Sequence, residues 1–156
     1  MIKLLLVFVS LFITACNANE SYIDRNKNIF DTITFDVVQK KLLIQADLPN
    51  NLKTLLSEWF AQKVKIDGFD GEMKFIITEY TQEISNISDG KKIDCFLSFK
   101  VMLIKSSESK KEIIEGNISS YGTLTGKFSL KDFDIVIQNT QNDLILRLSR
   151  DLKSKI

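Results

Sequence analysis

Residues 93–104 alternate without a break, and no other stretch of the chain restricts its fold as tightly. Ile93, Cys95, Leu97, Phe99, Val101 and Leu103 fall on one side, with Asp94, Phe96, Ser98, Lys100, Met102 and Ile104 on the other. A period of two held this long belongs to a β-strand, because a helix would scatter those apolar residues around its axis. Turn residues bracket the run. Asp89-Gly90 is a favoured hairpin pair just before it, and Ser106-Ser107-Glu108-Ser109 follows it. Antiparallel neighbours are therefore expected on both sides. One spans residues 72–84, with Met73, Phe75 and Ile77 sharing a face, and the other spans residues 111–123. In the latter, Gly116 and Gly122 stand in one register, which calls for an element packed closely over that face.

Two amphipathic helices supply the cover. After Pro49, Leu52, Leu55, Leu56, Trp59, Phe60 and Val64 recur at spacings of three and four, and Asn50 or Asn51 is placed to cap the first turn. This helix should end near Lys65, ahead of the turn-forming Asp67-Gly68-Phe69-Asp70-Gly71. The second helix opens at Ser129, with Asp132 as the acidic half of a capping box. Its buried stripe is Phe133, Ile137, Thr140, Leu144, Leu148 and Leu152, flanked by Val136 and Ile145. Upstream, Ile33, Phe35 and Val37 alternate as a half-buried strand, and Leu42-Leu43-Ile44 either continues it past a bulge or begins another. The expected order is β-α-β-β-β-α. That is an α+β two-layer sandwich, a mostly antiparallel sheet of about four strands with two helices on one face. The other sheet face is left open.

The amino terminus is of a different kind. Lys3 precedes the apolar run from Leu4 to Ile13, and Ile13-Thr14-Ala15-Cys16 closes it. A basic start, a short apolar core and small residues at the end make a secretory signal. The run is too short for a lasting span, which takes about 20 apolar residues. Ile13-Thr14-Ala15-Cys16 resembles the bacterial lipoprotein signal, the lipobox, in which the cysteine thiol is lipidated and the chain is cut before it. The resemblance implies that Cys16 becomes the lipid-bearing (palmitate-type) first residue of the mature chain. The competing reading is an ordinary signal cut beside a cysteine. Asn17, rather than Asp, follows the cysteine, which by the same resemblance directs the protein to the periplasmic face of the outer membrane. The expected organisation is a signal peptide over residues 1–15, a lipidated cysteine and polar tether over residues 16–31, and one domain over residues 32–156.

Composition narrows the chemistry. Lys3 leaves with the leader, so 20 basic and 20 acidic side chains remain and nothing attracts nucleic acid. The absence of histidine removes the Ser-His-Asp and Cys-His mechanisms and the usual zinc sites. Cys95 is left without an intramolecular partner and reads as a small buried hydrophobe. Asp67, Asp70 and Glu72 around Gly68 and Gly71 lack calcium-loop spacing and read as solvated turn carboxylates. Asp132 with Asp134, and Glu112 with Glu115, suit capping and strand edges rather than acid–base work. No enzyme, cofactor or metal is expected.

The open face carries what remains. Phe96, Met102 and Ile104 lie there among Asp94, Ser98 and Lys100, and an exposed apolar row of this kind marks a candidate partner surface. Alternatively, a neighbouring segment folds over it. The stretch Leu55 to Val64, then Gly68 and Gly71, then Met73-Lys74-Phe75-Ile76-Ile77, resembles small alphaproteobacterial envelope lipoproteins. The order of elements is also similar to YajG-like and LptE-like lipoproteins. That resemblance implies a non-enzymatic accessory or assembly subunit of an envelope complex, related to lipopolysaccharide or lipid transport. Its partners would be the membrane, through Cys16, and an envelope protein. The second expectation is a periplasmic carrier holding a lipid or other apolar ligand between helices and sheet, lined by Leu56, Trp59, Phe60, Phe75 and Leu97.

Overall fold

A computed structural model describes residues 22–26, 28–105 and 110–156. The leader, Cys16 and the Ser106–Ser109 turn lie outside the described residues. The elements in chain order are α1 (Tyr22–Arg25), β1 (Ile33–Phe35), β2 (Gln39–Ile44), α2 (Asn50–Lys63), β3 (Val64–Ile66), β4 (Glu72–Ile87), β5 (Gly90–Lys105), β6 (Lys110–Thr125) and α3 (Leu130–Ser154). The main sheet runs β2-β4-β5-β6, and β1 pairs with β3 in a separate two-stranded sheet. The α+β two-layer architecture stands, with α2 and α3 on one face of a four-stranded sheet.

β5 is the axis of that sheet. It is paired along its whole length with β4 on one side and β6 on the other, both antiparallel. Ile93, Cys95, Leu97, Phe99 and Val101 are buried beneath the helices. Phe75 of β4 lies flat on Phe99, with centroids 5.5 Å apart and planes 4° from parallel, and Trp59 of α2 meets Phe75 edge-on at 5.6 Å. Offset stacked and edge-to-face contacts of this kind add to the area that each ring buries.

The glycine register finds its element in α3. A Cβ on Gly116 would lie 2.5 Å from the Phe99 ring and 2.7 Å from an Asp151 carboxylate oxygen, and one on Gly122 would lie 2.6 Å from Val136 Cγ1 and also meet Thr140 Oγ1. The helix thus rests directly on the β6 backbone. Its start is as expected: Ser129 Oγ accepts from the Asp132 amide, and the Asp132 carboxylate accepts from the Ser129 amide at 2.8 Å.

One open choice is decided and several expectations change. Leu42, Leu43 and Ile44 belong to a second strand, and β2 pairs with β4 in parallel, over Glu72–Ile77. β1 is shorter than expected: the Val37 amide donates back to the Phe35 carbonyl at 3.0 Å and bends the chain there, while Val37 itself stays in the core. α2 has no side-chain cap: Pro49 occupies the N-cap, and Asn51 Nδ2 instead donates to Gln141 Oε1 at 2.5 Å. At its other end the Lys40 ammonium donates to the carbonyls of Phe60 (3.0 Å), Ala61 (3.3 Å) and Val64, closing the negative end of the helix from a neighbouring strand. The segment after it forms β3 before the glycine turn begins.

The tether is also shorter than the polar composition implied. Ile23 and Phe30 are buried in the core, and Asp31 pairs with Lys153 of α3 at 2.9 Å. Ile23 and Phe30 belong to two short apolar pairs, Tyr22-Ile23 and Ile29-Phe30, that carry no period, yet both pack. The domain therefore begins by Tyr22, six residues after Cys16, so those two Cα atoms can be at most about 20 Å apart.

A polar layer runs under the first half of α3. Gln141, buried, accepts from Asn51 and donates to Gln82 Oε1 (3.2 Å) and Tyr80 Oη (3.4 Å). Tyr80 in turn donates to Gln82 Oε1 at 3.0 Å and stands 3.7 Å from Cys95 Sγ. Burial pushes the Cys95 thiol above its ordinary value, and its bond with Tyr80 offsets only part of that. Cys95 is a protonated core group, as expected. Nearby, Ser120 donates to Asp143 and Arg147 pairs with it, both at 2.6 Å. Burial alone would raise the Asp143 carboxyl, but those two bonds and the nearby Arg147 and Arg150 charges together outweigh it and hold it below the usual range.

Two outcomes are expected. Gly122→Ala should cost about 1–3 kcal/mol through overpacking against α3, read as a lower urea midpoint. The Asp143 carboxyl, being depressed in the fold, contributes fully above its unfolded value near 3.9 and loses that contribution as pH falls through its folded value. Asp143→Asn should therefore lower stability at pH 7 and reduce the fall in stability on acidification below about pH 4, measured by urea unfolding at both pH values.

Candidate functional site

The open face is built by the even-numbered residues of β5 and their cross-strand neighbours. Phe96, Met102 and Ile104 are all part-exposed, and none belongs to the buried core. Pairing sets Met102 between Lys74 and Ile113, and Ile104 between Glu72 and Lys111. Phe96 lies between Thr81 and Ser119. Six residues of strand separate Phe96 from Met102, about 20 Å. Between them Lys100 pairs with Glu115 across the strands at 2.7 Å. The three residues do not form one row. Met102 and Ile104 make one patch, and Phe96 stands apart beyond an ion pair.

Neighbouring strands enlarge the Met102 patch. Ile113 is 46% exposed directly opposite Met102, and Leu43 of β2 pairs with Ile76 of β4 on the same face. The loop before β4 approaches this end too, since a Cβ on Gly71 would lie 2.6 Å from the Ile104 carbonyl. Phe69, two residues earlier, is fully exposed. That ring adds exposed apolar surface in the loop that reaches this end of the sheet. None of these additions was marked by alternation within its own strand. The one signal in the sequence was a phenylalanine placed in a turn rich in Asp and Gly.

The expected carrier lining packs as core. Leu56, Trp59, Phe60, Phe75 and Leu97 are all buried, and both Trp59 and Phe60 lie within 6 Å of the Phe75 ring centroid, at 5.6 and 5.9 Å. The Trp59 indole N–H has no hydrogen-bond partner among the described residues. Among the described residues no group of three or more Asp, Glu or Cys side chains is placed to hold a metal ion, and no helix is long and apolar enough to cross a membrane.

No protein-family model matches the chain, and comparison with curated proteins gives no match. Solved structures do share its architecture. A minor lipoprotein from Acinetobacter baumannii superposes with a TM-score of 0.53 at 12% identity, over 76% of this chain and 94% of that one. Rare lipoprotein B from Shewanella oneidensis gives 0.51 at 13% identity, over 76% of this chain and 96% of that one. At such identities the likeness is one of fold. The chain has a fold found among bacterial lipoproteins.

Proposed function

We propose that this protein is an envelope lipoprotein, held through lipid on Cys16 at the periplasmic face of the outer membrane, and that it acts without catalysis as an assembly subunit. Its sheet face would dock on a protein partner of the envelope. The observation that carries this reading is the part-exposed patch of Met102, Ile104 and Ile113, with fully exposed Phe69 in the loop whose Gly71 abuts the Ile104 backbone. The signal-like leader ending in Cys16 and the fold shared with lipoproteins support the anchor. Burial of such a patch against a partner is worth about 25 cal/mol per Å² of apolar surface removed from water. Lys74, Lys100 and Lys111 with Glu72 and Glu115 frame the patch and supply a polar rim of both signs, as a reversible interface has.

The tagged full chain should be recovered from gently solubilised envelopes with one protein in fixed ratio. Met102→Ser with Ile104→Ser should cut that recovery at least about tenfold, since part-exposed anchors at an interface centre each carry about 1–2 kcal/mol. The thermal midpoint should stay close to that of the parent. Unchanged recovery would overturn the docking face. Cys16→Ser should move the protein from the membrane to the soluble fraction; membrane retention of that variant would overturn the anchor.

A further inference from the structure

The far half of β4 carries an open edge that the sheet-face reading does not use. β2 leaves this margin at Gln45, whose amide donates to the Ile77 carbonyl at 2.9 Å before the chain departs for α2. From Glu79 to Ile87, β4 has β5 as its one strand neighbour among the described residues. In an antiparallel strand paired on one side, every second residue turns its N–H and C=O outward. The margin therefore holds a ladder of donors and acceptors at the repeat of another strand.

The two sides of that margin differ. The irregularity between Ile77 and Glu79 shifts the alternation, so Tyr80, Gln82 and Ile84 lie on the helix side, opposite Leu97, Cys95 and Ile93. There, half-exposed Ile84 and Lys91 of β5 form the floor of a hollow of about 310 Å³, walled by Phe128, Ser129, Leu130 and Phe133. Its lining is mainly apolar, Leu130 is 85% exposed, and the Lys91 ammonium donates to Asn86 Oδ1. Glu79, Thr81 and Glu83 lie on the other side. Both glutamates are exposed, neither forms an ion pair among the described residues, and about 13 Å of strand separates them.

An open edge is met by an extended chain, whose own donors and acceptors repeat at the same spacing. The side chains of that chain then alternate between the two sides. Those beside Ile84 and the hollow gain most by being apolar. Those opposite Glu79 and Glu83 gain by being Lys or Arg, four residues apart. A second copy of this edge brings glutamates toward glutamates. A lipid surface would take up the apolar hollow and leave the backbone ladder unmet. We propose that β4 from Glu79 to Ile87 binds an extended segment of a partner protein in which apolar and basic residues alternate, added to the sheet end to end with β2. Met102 lies opposite Lys74, where β2 covers β4, so this site is separate from that patch and does not rest on it.

The test uses the full chain, ¹⁵N-labelled and held in phosphatidylcholine nanodiscs. It is titrated with the blocked peptide Thr-Val-Lys-Ile-Thr-Val-Lys-Ile-Thr, with the same peptide carrying Glu for Lys, and with two forms N-methylated at the odd or at the even positions. Saturable amide shifts confined to residues 79–87, their partners on β5 and residues 128–133 are expected, with slowed hydrogen exchange at alternate amides of residues 79–87. One N-methylated form should bind and the other should not, because one edge of the peptide faces β4. Glu79→Lys with Glu83→Lys, both exposed, should fold as the parent does, bind the Lys peptide about tenfold more weakly and prefer the Glu peptide. Leu130→Ser should weaken binding about threefold through lost apolar contact. No saturation, equal binding of the Lys and Glu peptides by the parent, like behaviour of the two N-methylated forms, or unchanged affinity in the double variant would overturn the proposal. So would protection of residues 79–87 in phosphatidylglycerol nanodiscs without peptide, which would identify lipid as the occupant.

Discussion

The close approach of α3 to β6 at Gly116 and Gly122 is the constraint on which the rest of this structure depends. Where a side chain would hold a helix away from a sheet, two missing Cβ atoms let α3 settle onto the strand, with Val136, Thr140 and Asp151 filling the space. That contact fixes the height of the helix layer. α2 is then tied to α3 through Asn51 and Gln141, and reaches the sheet through Trp59 and Phe60 on Phe75. The stacked Phe75–Phe99 pair lies under both helices, so the two halves of the core share one aromatic centre.

A helix layer on one side leaves the sheet with two unequal faces, and the chemistry of each follows from its neighbours. On the covered side, one cluster of polar groups is held together by mutual partners, as Gln82, Tyr80 and Gln141 are. A satisfied layer of this kind adds specificity of alignment, because sliding α3 along the sheet would break several bonds together. On the uncovered side, charge pairs such as Lys100–Glu115 keep most of the surface wet, and apolar groups collect near the end where β4 begins and β5 finishes.

Much of this architecture is legible in the chain because it rests on periodicity. The alternation of residues 93–104, the Asp89-Gly90 turn, the two amphipathic helices and the Ser129–Asp132 box each encode their own local geometry. Long-range choices do not. Whether Leu42-Leu43-Ile44 extended the first strand or joined β4 in parallel depended on a partner some thirty residues away. Ile23 and Phe30 became core through tertiary contact, without any repeat to announce them. The same limit applied to the surfaces. Phe96, Met102 and Ile104 share a face by parity alone, but only the strand register shows Ile113 beside Met102 and the Lys100–Glu115 pair beside Ser98.

The short reach of β2 has a dynamic consequence. β2 accompanies β4 only as far as Ile77, and beyond the irregularity there β4 runs on from Glu79 to Ile87 with β5 as its one strand neighbour among the described residues. Backbone groups on its outer margin answer to solvent, while most side chains over that length are exposed. Local opening draws on few buried contacts in such a region. The sheet should therefore exchange its amides in a gradient, fastest along β4 beyond Glu79 and slowest around Phe75 and Phe99. The outer margin of β4 thus runs on unpaired beside a β5 that β6 holds on its other side, and Glu79 and Glu83 along that margin discourage it from pairing with the edge of another copy.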